Sequence, residues 1–265
     1  MTAPKRPRGT LMGEGSPDAL VVSGRAPRLL AFHGFTGTPQ EVALLVDVAR
    51  ELGLGAEAPL LPGHGGRVAE LASQRFADWL AAAEAHYTRL AADGPVIVAG
   101  LSMGALLAFH LAKNHPKTTA GVIALSNAMW LKSPWPTLPL KLIDRLRLPD
   151  FWLSKSGPDL GDAEERARHL TYNAQPIRAA ISLLRAGEAL APELHRVHAP
   201  TLLLHGALDA VAPVENAHRV AMLLGALDKR TVVFERSRHI LTRDVERAAV
   251  RSEIAAFLRK IAVAD

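Results

Sequence analysis

Residues 95–105 read PVIVAGLSMGA: an apolar run, a serine held between two glycines, and the start of a helical pattern. The run is short and lacks polar alternation, which is how a strand reads when both faces of a parallel sheet are covered. Gly100-Leu101-Ser102-Met103-Gly104 then fits a sharp strand–turn–helix bend that leaves the serine hydroxyl exposed at the carboxyl edge of the sheet. Glycine is needed two residues before and two after Ser102, because a side chain there would collide with the turn. No other serine in the chain has glycines at that spacing. Ser102 is the candidate nucleophile.

Outward from this stretch, short apolar runs alternate with helical patterns. The runs are Ala19–Val22, Leu29–Phe32, Gly55–Ala58, Val96–Ala99, Gly121–Leu125, Thr201–Leu204 and Thr231–Phe234. Helical spacing of apolar residues marks Phe76–Ala91, Ala105–Lys113, Val214–Leu224 and Val245–Ile261. Thr38-Pro39-Gln40-Glu41 supplies an N-cap, a proline at the first helical position and a capping-box glutamate, opening a helix that runs to Leu52. This alternation predicts an α/β fold: a mostly parallel, twisted sheet with helices on both faces.

Two stretches depart from the alternation. Residues 1–18 carry Pro, Gly and basic residues without periodicity, which predicts a flexible N-terminal arm. Residues 127–194 hold Trp130, Trp135, Phe151, Trp152 and seven prolines, and are too long for a loop inside a compact domain. They read as a small, mostly helical cap inserted into a core of residues 19–126 and 195–265. The four aromatics are candidate substrate-binding residues lining an apolar pocket, against the plainer reading that they pack the cap onto the sheet.

A serine hydroxyl needs an adjacent base held in the right tautomer. Among eleven histidines, His239 follows the last apolar run and precedes the last helix, where a loop can bring its imidazole over Ser102. Asp209 lies in HGALDAVAP, again just past the carboxyl end of a strand, so acid and base follow the serine in the order Ser, Asp, His. Asp228 stands at the wrong end of its strand, and Asp244 suits a helix N-terminus. Oxyanion stabilisation needs two preorganised N–H donors. The backbone of Met103 offers one and that of Phe35, in His33-Gly34-Phe35-Thr36-Gly37, the other. His33 and His64 read as loop architecture.

The combination HGFTGTP, LPGHG, GLSMG, HGALDAVAP and SRHILTRD resembles the bacterial carboxylesterase and monoacylglycerol lipase branch of the α/β-hydrolase fold. The likeness spans residues 28 to 260, the cap region matching only in length and placement. It implies a Ser102–Asp209–His239 triad, oxyanion donors at Phe35 and Met103, a helical cap over an acyl pocket, and short- to medium-chain esters or monoacylglycerols as substrates, without a cofactor. Two residues depart from the pattern. Ala105 stands where many relatives have a third glycine, and Arg238 precedes the histidine where glycine is common.

The rest of the composition narrows the choices. With 265 residues, 49% hydrophobic and 22% charged, the chain can bury a core without staples. The lack of cysteine excludes disulfides, thiol catalysis and thiolate metal sites. The net charge of +5 comes from scattered Lys and Arg, which is a solvated basic surface more than a nucleic-acid or lipid footprint. No stretch has the length of a membrane helix, and MTAPKRPRGT is followed by polar GEGSPD, so the expectation is a cytoplasmic enzyme with no integral membrane segment. No GxxxxGK[ST], GxGxxG or HExxH occurs, which leaves phosphate-loop, dinucleotide and zincin readings without their motifs. Two alternatives remain: the same apparatus acting on a thioester, lactone or carbon–carbon bond, and a hydrolase-fold receptor with an idle triad.

Overall fold

The computed structural model describes residues 9–132, 151–155 and 157–263. After a two-residue strand β1 (Leu11–Met12), all seven apolar runs become strands of one sheet: β2 (Leu20–Val22), β3 (Arg25–Phe32), β4 (Leu54–Ala58), β5 (Val96–Leu101), β6 (Thr119–Leu125), β10 (Thr201–Gly206) and β11 (Lys229–Phe234). Their spatial order is β11-β10-β6-β5-β3-β4-β2. Only β2 runs antiparallel, against β4. The chain steps from β3 outward to β4, then returns to place β5 on the other side of β3. The reversal between β3 and β5 opens a crevice at the carboxyl ends of the strands.

Alternate residues of each central strand go to opposite faces, and both faces are covered. Leu30, Phe32, Val96, Val98, Val122 and Leu203 pack with α3 (Phe76–Ala91) and α4 (Met103–Asn114). Leu29, Ala31, Ile97, Ala99, Ile123 and Leu204 pack with α1 (Ala43–Glu51) and with the C-terminal helix, Arg247–Val263. This burial on two faces explains the unbroken apolar runs. A short helix α2 (Val68–Ala72) has no counterpart in the sequence reading.

The capping box at Thr38 does not form. Thr38 makes no side-chain cap bond to the short 3-10 turn Pro39–Val42 that precedes α1. Glu41 turns inward instead and is buried, because a better pair of partners, the Gly34 N–H and His169, lies beneath it.

The described part of 127–194 mixes both secondary structures. It holds β7 (Trp152–Ser154), α5 (Ala163–Arg168), β8 (Thr171–Tyr172), β9 (Ala174–Pro176) and α6 (Ile177–Leu190). β7 pairs antiparallel with β9, and β8 with β1. The N–H groups of Gly9 and Thr10 also donate to Asn173 Oδ1, so the described part of the N-terminal stretch is fastened to the insertion. Beyond it lie α7 (Glu215–Leu223) and α8 (Arg247–Val263). Among the described residues, no helix is long and apolar enough to cross a membrane.

Candidate active site

Ser102 occupies the single residue between β5 and α4, with φ 57° and ψ −113°. A positive φ at a non-glycine residue stores about 1–3 kcal/mol and persists only where its surroundings enforce it. Here they do. A Cβ on Gly100 would stand 2.1 Å from the Gly104 carbonyl, and one on Gly104 would stand 2.1 Å from the Phe32 carbonyl oxygen. The two glycines therefore let the bend close against itself and against β3. Ala105, in place of a third glycine, is fully buried in the core.

The loop after β3 lies against the serine: a Cβ on Gly34 would be 3.4 Å from Ser102 Cβ. Its N–H groups are nearly all engaged. Gly34 donates to Glu41 Oε2 at 2.8 Å, Thr36 to His64 Nε2 at 3.3 Å and Gly37 to the Gly34 carbonyl at 3.1 Å. The Phe35 N–H has no acceptor among the described residues, and neither does the Met103 N–H at the start of α4. One unused donor thus directly follows Ser102, and the other lies in the loop that packs against it.

His33 and His64 hold this loop from below. His33 accepts the Leu61 N–H on Nε2 (3.1 Å) and donates from Nδ1 to the Gly34 carbonyl (2.9 Å). His64 accepts from Thr36 and faces the Pro62 carbonyl through Nδ1, its ring edge-on to His33 at 4.7 Å between centroids. Burial lowers the pKa of both imidazoles, so they serve as neutral hydrogen-bond connectors. Thr36 is pinned in the left-handed region at φ 65°, its carbonyl accepting from Thr171 Oγ1 and its hydroxyl from Lys155 Nζ at 2.6 Å.

His239 and Asp209 meet from the loops after β11 and β10. His239 Nδ1 donates to Asp209 Oδ2 at 2.7 Å. His205 Nε2 approaches the same oxygen at 3.1 Å, and Oδ1 accepts the Val211 and Ala212 N–H groups at 2.8 Å each. Burial alone would raise the Asp209 pKa, but the charge of His239 and the hydrogen bonds of His205, His239 and Ala212 hold the carboxyl well below its usual range. The same balance runs the other way at His239. Burial opposes its protonation, and the Asp209 carboxylate, helped by Asp159 and Glu41, overcomes that and raises the imidazole pKa. The Ser102 hydroxyl makes no hydrogen bond to a described residue; catalytic bonds of this kind tighten in the substrate complex.

Four site residues had no role assigned from sequence. His205 belongs to HGALD but its contact with Asp209 shows only in three dimensions. Glu41 read as a helix cap; burial alone would raise it, yet its bond to His169 and the charges around it hold the carboxyl at about 2. Lys155 and Asp159 lie in the insertion, where no pattern marks them.

The candidate pocket aromatics are scattered. Trp130 packs against the core cluster that includes Met103, and Arg219 covers its ring at 3.7 Å. Trp152 packs on the same cluster and reaches Gly9, while Phe151 is exposed. Trp135 lies outside the described residues. Among the described residues, no group of three or more His, Asp or Glu side chains is arranged to hold a metal.

Residues 25–246 match the family described as serine aminopeptidase, S33 (Hydrolase_4). The chain belongs to this family. As an S33 hydrolase it is 28% identical to a thermostable monoacylglycerol lipase of Bacillus sp. (strain H-257), covering 88% of this chain and 90% of the relative. It is 24% identical to a carboxylesterase of Bacillus subtilis (strain 168), covering 93% and 98%. A solved structure from a study of two metagenome-derived lipolytic enzymes, LipS and LipT, superposes with a TM-score of 0.85 at 27% identity, covering 94% of this chain and all of that one. The architecture is the α/β-hydrolase fold.

Proposed function

We propose that this S33 hydrolase cleaves carboxylic esters, short- to medium-chain acyl esters or monoacylglycerols, through Ser102, His239 and Asp209. The observation that carries the reading is the set of parts at the carboxyl ends of the strands: a strained serine after β5, unengaged N–H groups on the next residue and in the loop packed against the serine, and an imidazole hydrogen-bonded to a buried carboxylate in the loops after β11 and β10. The names of the two Bacillus relatives supply the ester class.

In this reading Ser102 Oγ attacks the ester carbonyl carbon while His239 Nε2 takes its proton. The Phe35 and Met103 N–H groups hold the oxyanion, which they reach without reorganisation. Protonated His239 gives its proton to the departing alkoxide, and the alcohol leaves an acyl-enzyme. His239 then deprotonates water, which attacks the acyl carbon, and the serine is released with the proton returned to it. Asp209, with four donors on its two oxygens, stays ionised throughout and fixes the imidazole tautomer. The insertion 127–194 acts as the cap, with Trp130, Trp135, Phe151 and Trp152 as its pocket-lining candidates.

A series of p-nitrophenyl esters from acetate to laurate, with monoacylglycerols alongside, tests this on wild type and Ser102→Ala. Wild type turns over the esters and the variant loses about three orders of magnitude or more. Turnover of a thioester or lactone without any ester moves the assignment to that bond, and no turnover of any acyl donor makes the protein a receptor.

A further inference from the structure

Asp159 stands in the insertion, two residues before a turn that reaches the base loop, and its carboxylate touches both loops of the acid–base pair. Oδ2 accepts the N–H of Ala210, next to Asp209, at 2.8 Å, and the N–H of His239 itself at 3.3 Å. Oδ1 accepts from Arg238 Nη1 at 3.1 Å, and the Asp159 carbonyl accepts the Ile240 N–H at 3.3 Å. We propose that Asp159 is a positioning residue for the proposed ester hydrolysis, tying the loop of Asp209 to the loop of His239 and so fixing where the imidazole stands relative to Ser102. The proposal rests on that functional reading.

Three observations favour a positioning role over simple surface packing. The contacts fall on backbone N–H groups of Ala210 and His239, one residue from the acid and on the base, so they restrain the chain that aims the two side chains. The staple is reciprocated: Asp244, in the base loop and fully buried, accepts the Gly161 and Asp162 N–H groups on Oδ1 and the Arg238 N–H on Oδ2 at 2.6 Å. Two carboxylates thus lace the 159–162 turn and the 237–245 loop from both sides. Finally, Arg238 sets a cation beside the base, and Asp159 faces it directly. The anion offsets the charge of that guanidinium.

The charged and titratable groups around His239 are Asp209 with His205 behind it, Asp159, Arg238, Glu41, and Lys132, whose Nζ donates to the Asp209 carbonyl. Asp159 is one of the anions that favour the protonated imidazole. Its removal therefore has a signature in the pH profile that loss of packing lacks.

The test compares Asp159→Ala, Asp159→Asn and Arg238→Gly with wild type, reading kcat and KM for a p-nitrophenyl ester across pH, melting temperature, and the His239 ring titration by NMR. Asp159→Ala should lower kcat about 10- to 100-fold with little change in KM, as a misplaced catalytic group does. Asp159→Asn keeps an acceptor for the two N–H groups and removes the charge, so it should recover much of kcat while the His239 titration and the acidic limb of kcat/KM move to lower pH. Arg238→Gly should stay close to wild type in kcat. Should Asp159→Ala fail to fold, the Asn variant carries the test alone. The proposal is overturned if Asp159→Ala only lowers the melting temperature, if the Asn variant titrates like wild type, or if Arg238→Gly loses as much kcat as Asp159→Ala. Because the NMR titration needs no turnover, an inactive wild type would sink the ester reading and still leave Asp159 testable.

Discussion

At Gly100 one added carbon would meet the carbonyl of Gly104, the next glycine of the same bend, at 2.1 Å, whereas the Asp159 carboxylate accepts hydrogen bonds from partners 51 to 80 residues away in sequence. The sheet edge builds its part of the site by sterics within a few residues: a strand stops, glycines permit a bend, and a helix leaves. The insertion builds its part by long-range polar contacts: Lys155 on Thr36, Asp159 on Ala210 and His239, His169 on Glu41, Thr171 on Thr36, Tyr172 beside Gly63 and Gly66. Local rules make the bend at the proposed nucleophile, and distant contacts hold the loops that surround it.

If that division is right, damage at the sheet edge should be large and damage in the insertion graded. Ser102→Ala, His239→Ala and Asp209→Asn should each cost about three orders of magnitude or more in ester kcat, and the losses should not add, since the three act as a unit. Near-normal activity in Asp209→Asn would reassign the acid. Gly104→Ala should be next, destabilising by about 3 kcal/mol, because β3 cannot yield to a Cβ at that distance without moving the sheet; thermal or urea melts measure it.

His239 stands where the two regions meet, bonded to Asp209 through its ring and to Asp159 through its N–H. His239 must be neutral to act as base, and its pKa is raised, so kcat/KM should fall as pH drops, with a midpoint above the ordinary imidazole value of about 6.5. The stability sign is opposite. A raised folded pKa gives stabilisation that is fully present below the unfolded imidazole value and is lost as pH rises through the folded one. His239→Ala should therefore lose most melting temperature at low pH, where wild type is least active.

Smaller effects belong to the insertion. Lys155→Met removes hydrogen bonds to Thr36 and Thr171 and should lower kcat by less than about tenfold. Burial lowers the lysine pKa to about 8. Between that value and the ordinary lysine value near 10.4 the unfolded chain binds more protons, so this group adds stability with rising pH, and the increment should vanish in the methionine variant. Smallest of all is the acyl pocket. Each buried methylene is worth about 0.8 kcal/mol, so kcat/KM should climb about threefold to fourfold per carbon until the pocket is full. Trp152→Ala should move the chain length at which the climb stops; a variant that only melts earlier assigns the tryptophan to packing.

The same division explains what the sequence made legible. Strand runs were readable because burial on two faces erases polar alternation, and Phe76–Ala91 matches its helix at both ends. Ser102, Asp209 and His239 stand out as candidates because each follows a strand, and the structure sets His239 Nδ1 at 2.7 Å from Asp209 Oδ2. Glu41 was misread as a cap because Thr-Pro-Gln-Glu satisfies a local rule, and nothing local announces His169, 128 residues on. Asp159 and Lys155 carry no signal at all: a lone charged residue in a proline-rich insertion is defined by what the fold sets beside it.

In the proposed reaction the strained serine at the end of β5 is the activated nucleophile. A fluorophosphonate probe, whose phosphorus an activated serine attacks with loss of fluoride, tests this when the label is located by peptide mapping on wild type and His239→Ala. Wild type should be labelled stoichiometrically on the peptide bearing Ser102, and labelling should slow by orders of magnitude when His239 is absent. A label on any other residue, or an undiminished rate without His239, would contradict it.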